Sequence, residues 1–193
     1  MTLILASTSA IRRSMLSAAG VGFEAVAPNV DEAAIKATLP VAANIASELA
    51  AAKALAVSAK RLEEWVIGSD SVVEVDGRDF SKPANLADAA DHLRFFSGKA
   101  MRLTSAVALA RFGGVDWNHQ ETATLNVRQL SDQFIDDYLA AEWPQVGYCV
   151  GVFRMEARGV QLFESVDGDH FTILGMPLLP LLGALRTRRL LPA

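Results

Sequence analysis

The apolar run Leu3–Ala6 stops at three hydroxyl-bearing residues and is followed by two adjacent arginines, and no other feature constrains the fold as much. The run predicts a buried strand, and Ile11–Ala19 predicts a helix. Their junction brings small hydroxyls, free helix N-terminal amides and the guanidinium groups of Arg12 and Arg13 to one point. Amide donors and the helix dipole favour anions, and arginine binds phosphate oxygens bidentately. The segment therefore predicts a phosphate site, with solvated arginines on an ordinary first helical turn as the alternative.

Composition limits the class of protein. The chain has 193 residues, of which 51% are hydrophobic, enough to bury a core as one large domain or two small lobes. Its net charge of −4 argues against a nucleic-acid partner, which normally binds a basic face. The single cysteine, Cys149, excludes an internal disulfide framework and a Cys-rich zinc site. We therefore expect a reduced, cytoplasmic setting.

No membrane-spanning or targeting segment is expected. The longest apolar stretch, Ile173–Leu185, contains Pro177 and Pro180 and is shorter than the roughly 20 residues of a membrane span. It predicts a buried terminal helix instead. The first apolar run has no preceding basic region, so it does not predict a signal peptide.

The rest of the chain mixes helical patterns with hairpins. Trp65–Gly68 predicts a short buried strand, and Asp76-Gly77 and Gly113-Gly114 predict hairpin turns. Val150–Met155 predicts a further strand. This mixture indicates α/β or α+β structure rather than a doubly wound nucleotide fold. The chain contains no G-x-G-x-x-G and no P-loop motif.

Two acidic positions follow predicted strands. Asp70 lies in Ser69-Asp70-Ser71 at the end of Trp65–Gly68, where a buried strand reaches the surface and where Gly68 allows a ligand to approach. The alternative is a turn aspartate that makes local hydrogen bonds. Asp31-Glu32 follows another strand. The two acidic positions could together hold Mg²⁺ or Mn²⁺, which prefer oxygen ligands, unless they are solvated loop charges.

Lys53 has an unusual place in a long Ala-rich helix for which Asn44 is the predicted N-cap. It continues the apolar stripe of Ile45 and Leu49, so its ammonium either reaches out of the core or points into a cleft. Lys82 lies in a loop that the following proline keeps extended. Each lysine taken singly is more often a surface charge, but with Arg12 they would form a cationic cradle that matches a triphosphate.

These segments together resemble the Maf family of nucleoside triphosphate pyrophosphatases. The matching blocks extend from Leu3 to about Arg186 and are, in order, LILASTSAIRR, NVDE, Ala51–Ala54, VIGSDSVV, SKPAN, FSGK and DGDHFTILGMPLLPLL. Several blocks in the right order are more specific than any one of them. The resemblance implies a single Maf-like domain over residues 1–193, with a mixed α/β, inosine triphosphatase-like fold. It also implies an elongated central sheet flanked by helices, two lobes with a cleft between them, and commonly a homodimer.

The resemblance further implies hydrolysis of a nucleoside triphosphate to the monophosphate and pyrophosphate, aided by Mg²⁺ or Mn²⁺. Such an enzyme would remove non-standard or modified nucleotides. At the matching positions, Asp70 would accept the proton of the attacking water, and Glu32 and Asp70 would face the metal. The residues implied to hold phosphates are Ser7, Ser9, Arg12, Lys53 and Lys82. A nucleotide-binding regulator of cell division with weak catalysis is the alternative from another class.

Three positions bear on the choice of base: Ile11, Ser71 and Glu156. A family branch that acts on dTTP and UTP typically has Arg, Thr and Gln there, and a branch that acts on 7-methyl-GTP has Trp, Gln and Glu. Glu156 favours the second branch, since a carboxylate accepts hydrogen bonds from guanine N1–H and the amino group. Ile11 matches neither branch and lacks the aromatic surface that could stack on a methylated base. We expect a purine-type or methylated substrate, with dTTP and UTP as the alternative.

Overall fold

The structure is a computed structural model that describes residues 3–39 and 42–192, with side chains omitted at 42–44. The predicted N-cap role of Asn44 lies outside the described residues. The strands are β1 (Leu3–Ala6), β2 (Glu24–Val26), β3 (Trp65–Val75), β4 (Arg78–Phe80), β5 (Ala100–Arg111), β6 (Gly114–Val127) and β7 (Phe163–Asp167). The helices are α1 (Ala10–Ala18), α2 (Glu32–Thr38), α3 (Ala42–Ser58), α4 (Leu86–Phe96), α5 (Asp132–Glu142), α6 (His170–Leu174) and α7 (Leu178–Thr187). None of the described helices has the length and apolar character needed to cross a bilayer.

The strands form one mixed sheet in the order β2-β1-β3-β5-β6-β7, with β4 paired to β3. Strand β1 is parallel to both β2 and β3, whereas β4 is antiparallel to β3 and β7 is antiparallel to β6. This arrangement confirms the predicted mixed α/β fold with a sheet flanked by helices. The chain divides into two compact units: Met1–Ser71, Thr104–Glu121 and Asp169–Ala193 form the first, and Val72–Leu103 and Thr122–Gly168 form the second.

Two tight hairpins join neighbouring strands. Asp76 and Gly77 have φ values of 53° and 71°, the left-handed pair that a type I′ turn requires, and the hairpin predicted there is confirmed. The second turn uses Phe112 and Gly113, with φ values of 54° and 73°. It therefore begins one residue before the predicted pair, and Gly114 already belongs to β6.

One hydrophobic cluster of the first unit lies on one face of β1, β3 and β5. Because side chains alternate along a strand, Leu3 and Leu5 share this face with Trp65 and Ile67, their partners in register. Helices α1 and α7 cover the face, and the buried members of the cluster are Leu3, Leu5, Met15, Leu16, Val21, Trp65, Ile67, Val107, Leu109, Met176, Leu178, Leu181, Ala184 and Leu185.

The prediction of one terminal helix over Ile173–Leu185 is wrong, because the segment contains the end of one helix and most of another. The segment forms two helices, because Gly175 ends α6 in the left-handed region with φ 110° and α7 begins at Leu178. Glycine adopts this conformation at little cost, and Pro177 follows it. The break leaves the Gly175 carbonyl free to accept side-chain hydrogen bonds.

Candidate active site

Asp70 lies within strand β3, not at its end as the sequence predicts, because β3 continues to Val75. Its neighbour β1 is shorter, and the last pair between them is Ala6 with Gly68. Asp70 is therefore two residues past the last residue that β1 pairs with. Its side chain is only 12% exposed, so any reacting group has to approach it within a nearly buried environment.

The Lys53 ammonium bridges two carboxylates. Its Nζ lies 2.6 Å from Oδ1 of Asp70 and 2.7 Å from Oε1 of Glu32. The Lys53 side chain is 9% exposed, whereas that of Glu32, at the start of α2, is 46% exposed. The structure thus brings together three of the predicted site residues, and the buried lysine points its charge at them and not into solvent.

Gly68 explains how α3 comes close enough for this contact. A Cβ atom at Gly68 would lie 2.1 Å from the Ala50 carbonyl oxygen and 2.6 Å from the Ala54 nitrogen. The glycine therefore allows α3 to pack directly on β3, and Lys53 is the residue before Ala54. Alternation places Asp70 on the same face as Gly68. Sequence reasoning assigned Gly68 to ligand approach, but here the helix occupies that space.

The first turn of α1 is organised by the two predicted phosphate-binding serines. Ser9 is the N-cap, and its Oγ accepts a hydrogen bond from the Arg12 amide at 3.5 Å. The buried Ser7 accepts one from the Ser9 amide at 3.2 Å. These contacts fix the chain between β1 and α1, where amide groups favour an anion.

Arg12 lies on the other face of β3 from Lys53. Its Nε donates to the Gly175 carbonyl at 2.9 Å, Nη1 to the Ser69 carbonyl at 2.9 Å, and Nη2 to Ser71 Oγ at 3.0 Å. Burial lowers the pKa of Arg12, and the charges of Asp70 and Glu32 oppose that shift. The guanidinium therefore anchors β3 to the turn after α6. Its predicted role in holding phosphate stays a prediction.

Sequence reasoning missed the network behind Arg12. The Gly175 carbonyl also accepts hydrogen bonds from Ser69 Oγ at 3.1 Å and Ser71 Oγ at 3.2 Å. Ser71 Oγ lies 2.8 Å from Ser105 Oγ. A glycine after a helical run with a proline two residues later is a helix-stop signal, and it could have identified Gly175.

Ile11, one of the predicted specificity positions, is half-buried in the first unit. It lines a shallow groove between α1 and the segment of α6 and α7, together with Phe171, Leu174 and Leu178. At Ser71, another of those positions, the hydroxyl forms hydrogen bonds with Arg12, Gly175 and Ser105. Neither arrangement tests their predicted contact with a base.

Lys82 and Glu156 belong to the second unit, and both are exposed. Glu156 follows Val150–Met155, a segment that forms turns and not the predicted strand, and its carboxylate is 3.7 Å from Nε of Arg154. Burial, aided by the charge of Glu156, raises the pKa of the Cys149 thiol to about 11, and the charges of Arg154 and Lys82 oppose that rise. The exposed charges of Lys82 and Glu156 therefore both influence the pKa of the same thiol, in opposite directions.

Glu32 and Asp70 fit the predicted divalent metal. Their oxygens lie within 2.7 Å of a single nitrogen, so both carboxylates already face one cation, the Lys53 ammonium. Among the described residues, no group of three or more His, Cys, Asp or Glu side chains comes together. Two carboxylates are nevertheless the usual protein contribution where substrate phosphates complete the coordination of Mg²⁺.

Comparisons with known proteins agree with these features. The family model described as Maf-like protein matches residues 2–188. The chain belongs to the Maf family. A 7-methyl-GTP pyrophosphatase of Rhizobium etli is 47% identical over 95% of this chain and 94% of that protein. A nucleoside triphosphate pyrophosphatase of Sphingopyxis alaskensis is 46% identical over 100% of both.

A solved structure was also found, a dITP/XTP pyrophosphatase of Mycobacterium abscessus. It covers 67% of this chain and 76% of its own, at 20% identity and a TM-score of 0.40. This similarity is too weak to support an argument about fold or site. The Maf assignment rests on the family match, which extends through both compact units.

Proposed function

We propose that this Maf protein hydrolyses nucleoside triphosphates to the monophosphate and pyrophosphate, and so removes non-standard or modified nucleotides. The observation that carries the proposal is the Lys53 ammonium held at 2.6 Å and 2.7 Å from Asp70 and Glu32. Opposite charges at a nearly buried position suit a polyanionic substrate and a developing negative charge.

In the proposed reaction, the oxygen of a water molecule bonds to the α-phosphorus while the bond from that phosphorus to the bridging oxygen breaks. Asp70 accepts the proton of the water, and pyrophosphate leaves with the bridging oxygen. The Lys53 ammonium would stabilise the charge that builds up on the phosphate oxygens. Glu32 and Asp70 would hold Mg²⁺ or Mn²⁺, which supplies Lewis-acid stabilisation of the same charge when bound.

The relatives support this reaction. The Rhizobium etli and Sphingopyxis alaskensis proteins, at 47% and 46% identity, are both named pyrophosphatases of nucleoside triphosphates or of one modified member of that class. Their identity extends over at least 95% of the present chain. A regulator that binds a nucleotide without hydrolysing it is the less favoured reading, because such a role does not require the paired charges around Lys53.

The proposed substrate is 7-methyl-GTP or a related purine nucleotide. Glu156 is exposed, so its carboxylate is available to accept hydrogen bonds from a guanine edge. A second relative, from Rhizobium meliloti, is also named 7-methyl-GTP pyrophosphatase, at 45% identity over 95% of this chain. Hydrolysis of dTTP and UTP is the alternative, since Ile11 offers no aromatic surface for a methylated base. We further propose that the protein works as a homodimer.

The products of hydrolysis test the proposal. Purified protein would be incubated with Mg²⁺ or Mn²⁺ and with ATP, GTP, 7-methyl-GTP, UTP and dTTP in turn, and pyrophosphate and orthophosphate would be measured separately. We expect pyrophosphate as the first product, with the highest kcat/KM for 7-methyl-GTP. Orthophosphate as the first product, or no product from any nucleotide, would contradict the proposed activity.

The position of attack needs a second measurement. In water labelled with ¹⁸O, attack at the α-phosphorus places the label in the nucleoside monophosphate, and attack at the β-phosphorus places it in pyrophosphate. We expect the label in the monophosphate, as mass spectrometry of both products would report. Label in pyrophosphate would show that water attacks the β-phosphorus, and it would contradict the proposed activation by Asp70 of a water directed at the α-phosphorus.

A further inference from the structure

Lys53 places its ammonium between Glu32 and Asp70, the two carboxylates proposed to hold the divalent cation. Its Nζ is within 2.7 Å of an oxygen of each carboxylate, and the lysine itself is 7% exposed. A unit positive charge at this place balances part of the charge of the two carboxylates. It also repels any second cation, and burial weakens the screening of that repulsion by water.

The proposed function gives Lys53 and the two carboxylates separate tasks. The carboxylates would hold the metal, and the ammonium would hold phosphate. The structure instead shows the ammonium bound to both carboxylates. One nitrogen with three N–H groups cannot retain two short ion pairs and also make room for a divalent cation between the same oxygens.

We propose that Lys53 competes with a divalent cation for Glu32 and Asp70, and that it releases at least one of these carboxylates when the cation binds. This inference rests on the proposed function for the identity of the site. Glu32 is the carboxylate released first, because its side chain is 46% exposed and that of Asp70 is 12% exposed. The ammonium is then available to the phosphate chain of the substrate.

The release of Lys53 couples the two ligands. Metal binding frees a cation for phosphate, and phosphate binding removes a competing cation from the carboxylates. Such coupling is reciprocal, so each ligand raises the affinity for the other by the same factor. The metal therefore promotes substrate binding through a residue of the protein as well as by direct contact with the nucleotide.

Mn²⁺ affinity in the absence of nucleotide tests the competition. Isothermal titration calorimetry would compare wild type with Lys53→Met and with Lys60→Met, which removes the same charge from an exposed position. We expect Lys53→Met to bind Mn²⁺ at least tenfold more tightly than wild type, because the variant lacks the repulsion between the ammonium and a cation a few ångströms away. We expect Lys60→Met to match wild type. Equal or weaker binding by a folded Lys53→Met protein, or no Mn²⁺ binding by either protein, would overturn the proposal.

A measurement on the wild type covers the case in which Lys53→Met fails to fold. The ¹H–¹⁵N signal of the Lys53 ammonium, held by two ion pairs, would be followed by NMR as diamagnetic Mg²⁺ is added, with the exposed Lys60 as internal reference. We expect the Lys53 signal to shift or broaden in proportion to Mg²⁺ occupancy. Calorimetric Mg²⁺ binding with an unchanged Lys53 signal would overturn the release.

Failure of this inference is distinguishable from failure of the proposed function. Both measurements are made without nucleotide and report metal affinity and the state of Lys53. Pyrophosphate release by wild type reports the reaction. An active enzyme whose Lys53 signal ignores Mg²⁺ would retain the function and lose the inference, whereas an inactive protein with tighter binding in Lys53→Met would do the reverse.

Discussion

The two faces of β3 around Asp70 have different contacts. On one face of β3, Asp70 meets the Lys53 ammonium at 2.6 Å. On the opposite face, Ser69 and Ser71 donate hydrogen bonds to the Gly175 carbonyl. Alternation along the strand separates these two environments, so the proposed reacting carboxylate and the anchored backbone lie back to back.

Asp70→Asn tests the proposed proton acceptor. The amide retains an oxygen for Lys53 but cannot take the proton of the attacking water, so we expect kcat to fall by about 10²- to 10⁴-fold. Steady-state pyrophosphate release would be measured, with circular dichroism to verify folding. Asp167→Asn, an exposed carboxylate on β7, serves as the control. A folded Asp70→Asn protein with wild-type kcat would show that another group accepts the proton.

Glu156→Gln tests the proposed base contact. An amide presents a donor as well as an acceptor, so it matches the guanine N1–H and amino pair less well and a pyrimidine edge equally well. We expect the ratio of kcat/KM for 7-methyl-GTP over UTP to fall by about tenfold, because hydrogen bonds to charged groups contribute roughly 1.5–3 kcal/mol. Competition assays would compare it with Glu164→Gln, an exposed change in β7. An unchanged ratio would remove Glu156 from base recognition.

Cys149 is expected to be a slow nucleophile. Burial raises the pKa of its thiol to about 11, so the thiol stays protonated at neutral pH, and only the thiolate reacts. At pH 7.5, its rate of alkylation by iodoacetamide should be far below that of free cysteine. The rate should then rise about tenfold per pH unit between pH 7 and 10, as the thiolate fraction rises. Mass spectrometry would follow the reaction. Alkylation at pH 7.5 as fast as that of free cysteine would contradict the burial of this thiol.

At the scale of elements, the close packing of α3 on β3 positions the site. Gly68 has no side chain to hold the helix away, and the atoms nearest a Cβ there are the Ala50 carbonyl oxygen, the Ala54 nitrogen and the Ala54 methyl group. Two of these three are backbone atoms, which cannot move without moving the helix. The distance from Lys53 to Asp70 is therefore set by the packing of two elements.

Gly68→Ala should disturb both stability and catalysis. A methyl group 2.1 Å from a carbonyl oxygen forces α3 outward, and we expect a loss of about 1–3 kcal/mol in the free energy of unfolding, as overpacked cores show. The displaced Lys53 should also lower kcat. Urea denaturation would be compared with that of Gly183→Ala in α7, where an added Cβ would meet no atom within 4 Å beyond the chain neighbours and the surrounding helix backbone. This control should stabilise the protein by about 0.5–1 kcal/mol. Wild-type stability of Gly68→Ala would mean that α3 does not pack this closely.

At the scale of the whole molecule, the predicted functional residues divide between the two compact units. The first contains Asp70, Lys53 and Glu32, which the sequence places at distant positions and the fold brings together, and it also contains Arg12 on the other face of β3. The second contains Lys82 and its surroundings. The predicted role of Lys82 in holding phosphate involves a residue of the second unit, so it is tested on the intact chain.

Lys82→Met tests that role. Lys82 is exposed, so its loss should leave folding unchanged, and removal of a charge that contacts phosphate should weaken binding of a non-hydrolysable triphosphate by about tenfold. Calorimetry would compare it with Arg158→Met, which removes another exposed cation of the second unit. Equal affinity in both variants would separate Lys82 from the phosphate site.

The sequence by itself determined the fold class, the hairpin at Asp76-Gly77 and a Maf resemblance that the family match confirms. Those features depend on local rules, such as hydrophobic period and turn conformation, or on ordered blocks of residues. Tertiary structure alone decided that Asp70 lies inside β3, that Gly68 admits a helix, and that the Gly175 carbonyl anchors Arg12. Each of these depends on which atoms approach from elements more than ten residues away, and neither periodicity nor spacing records those distances.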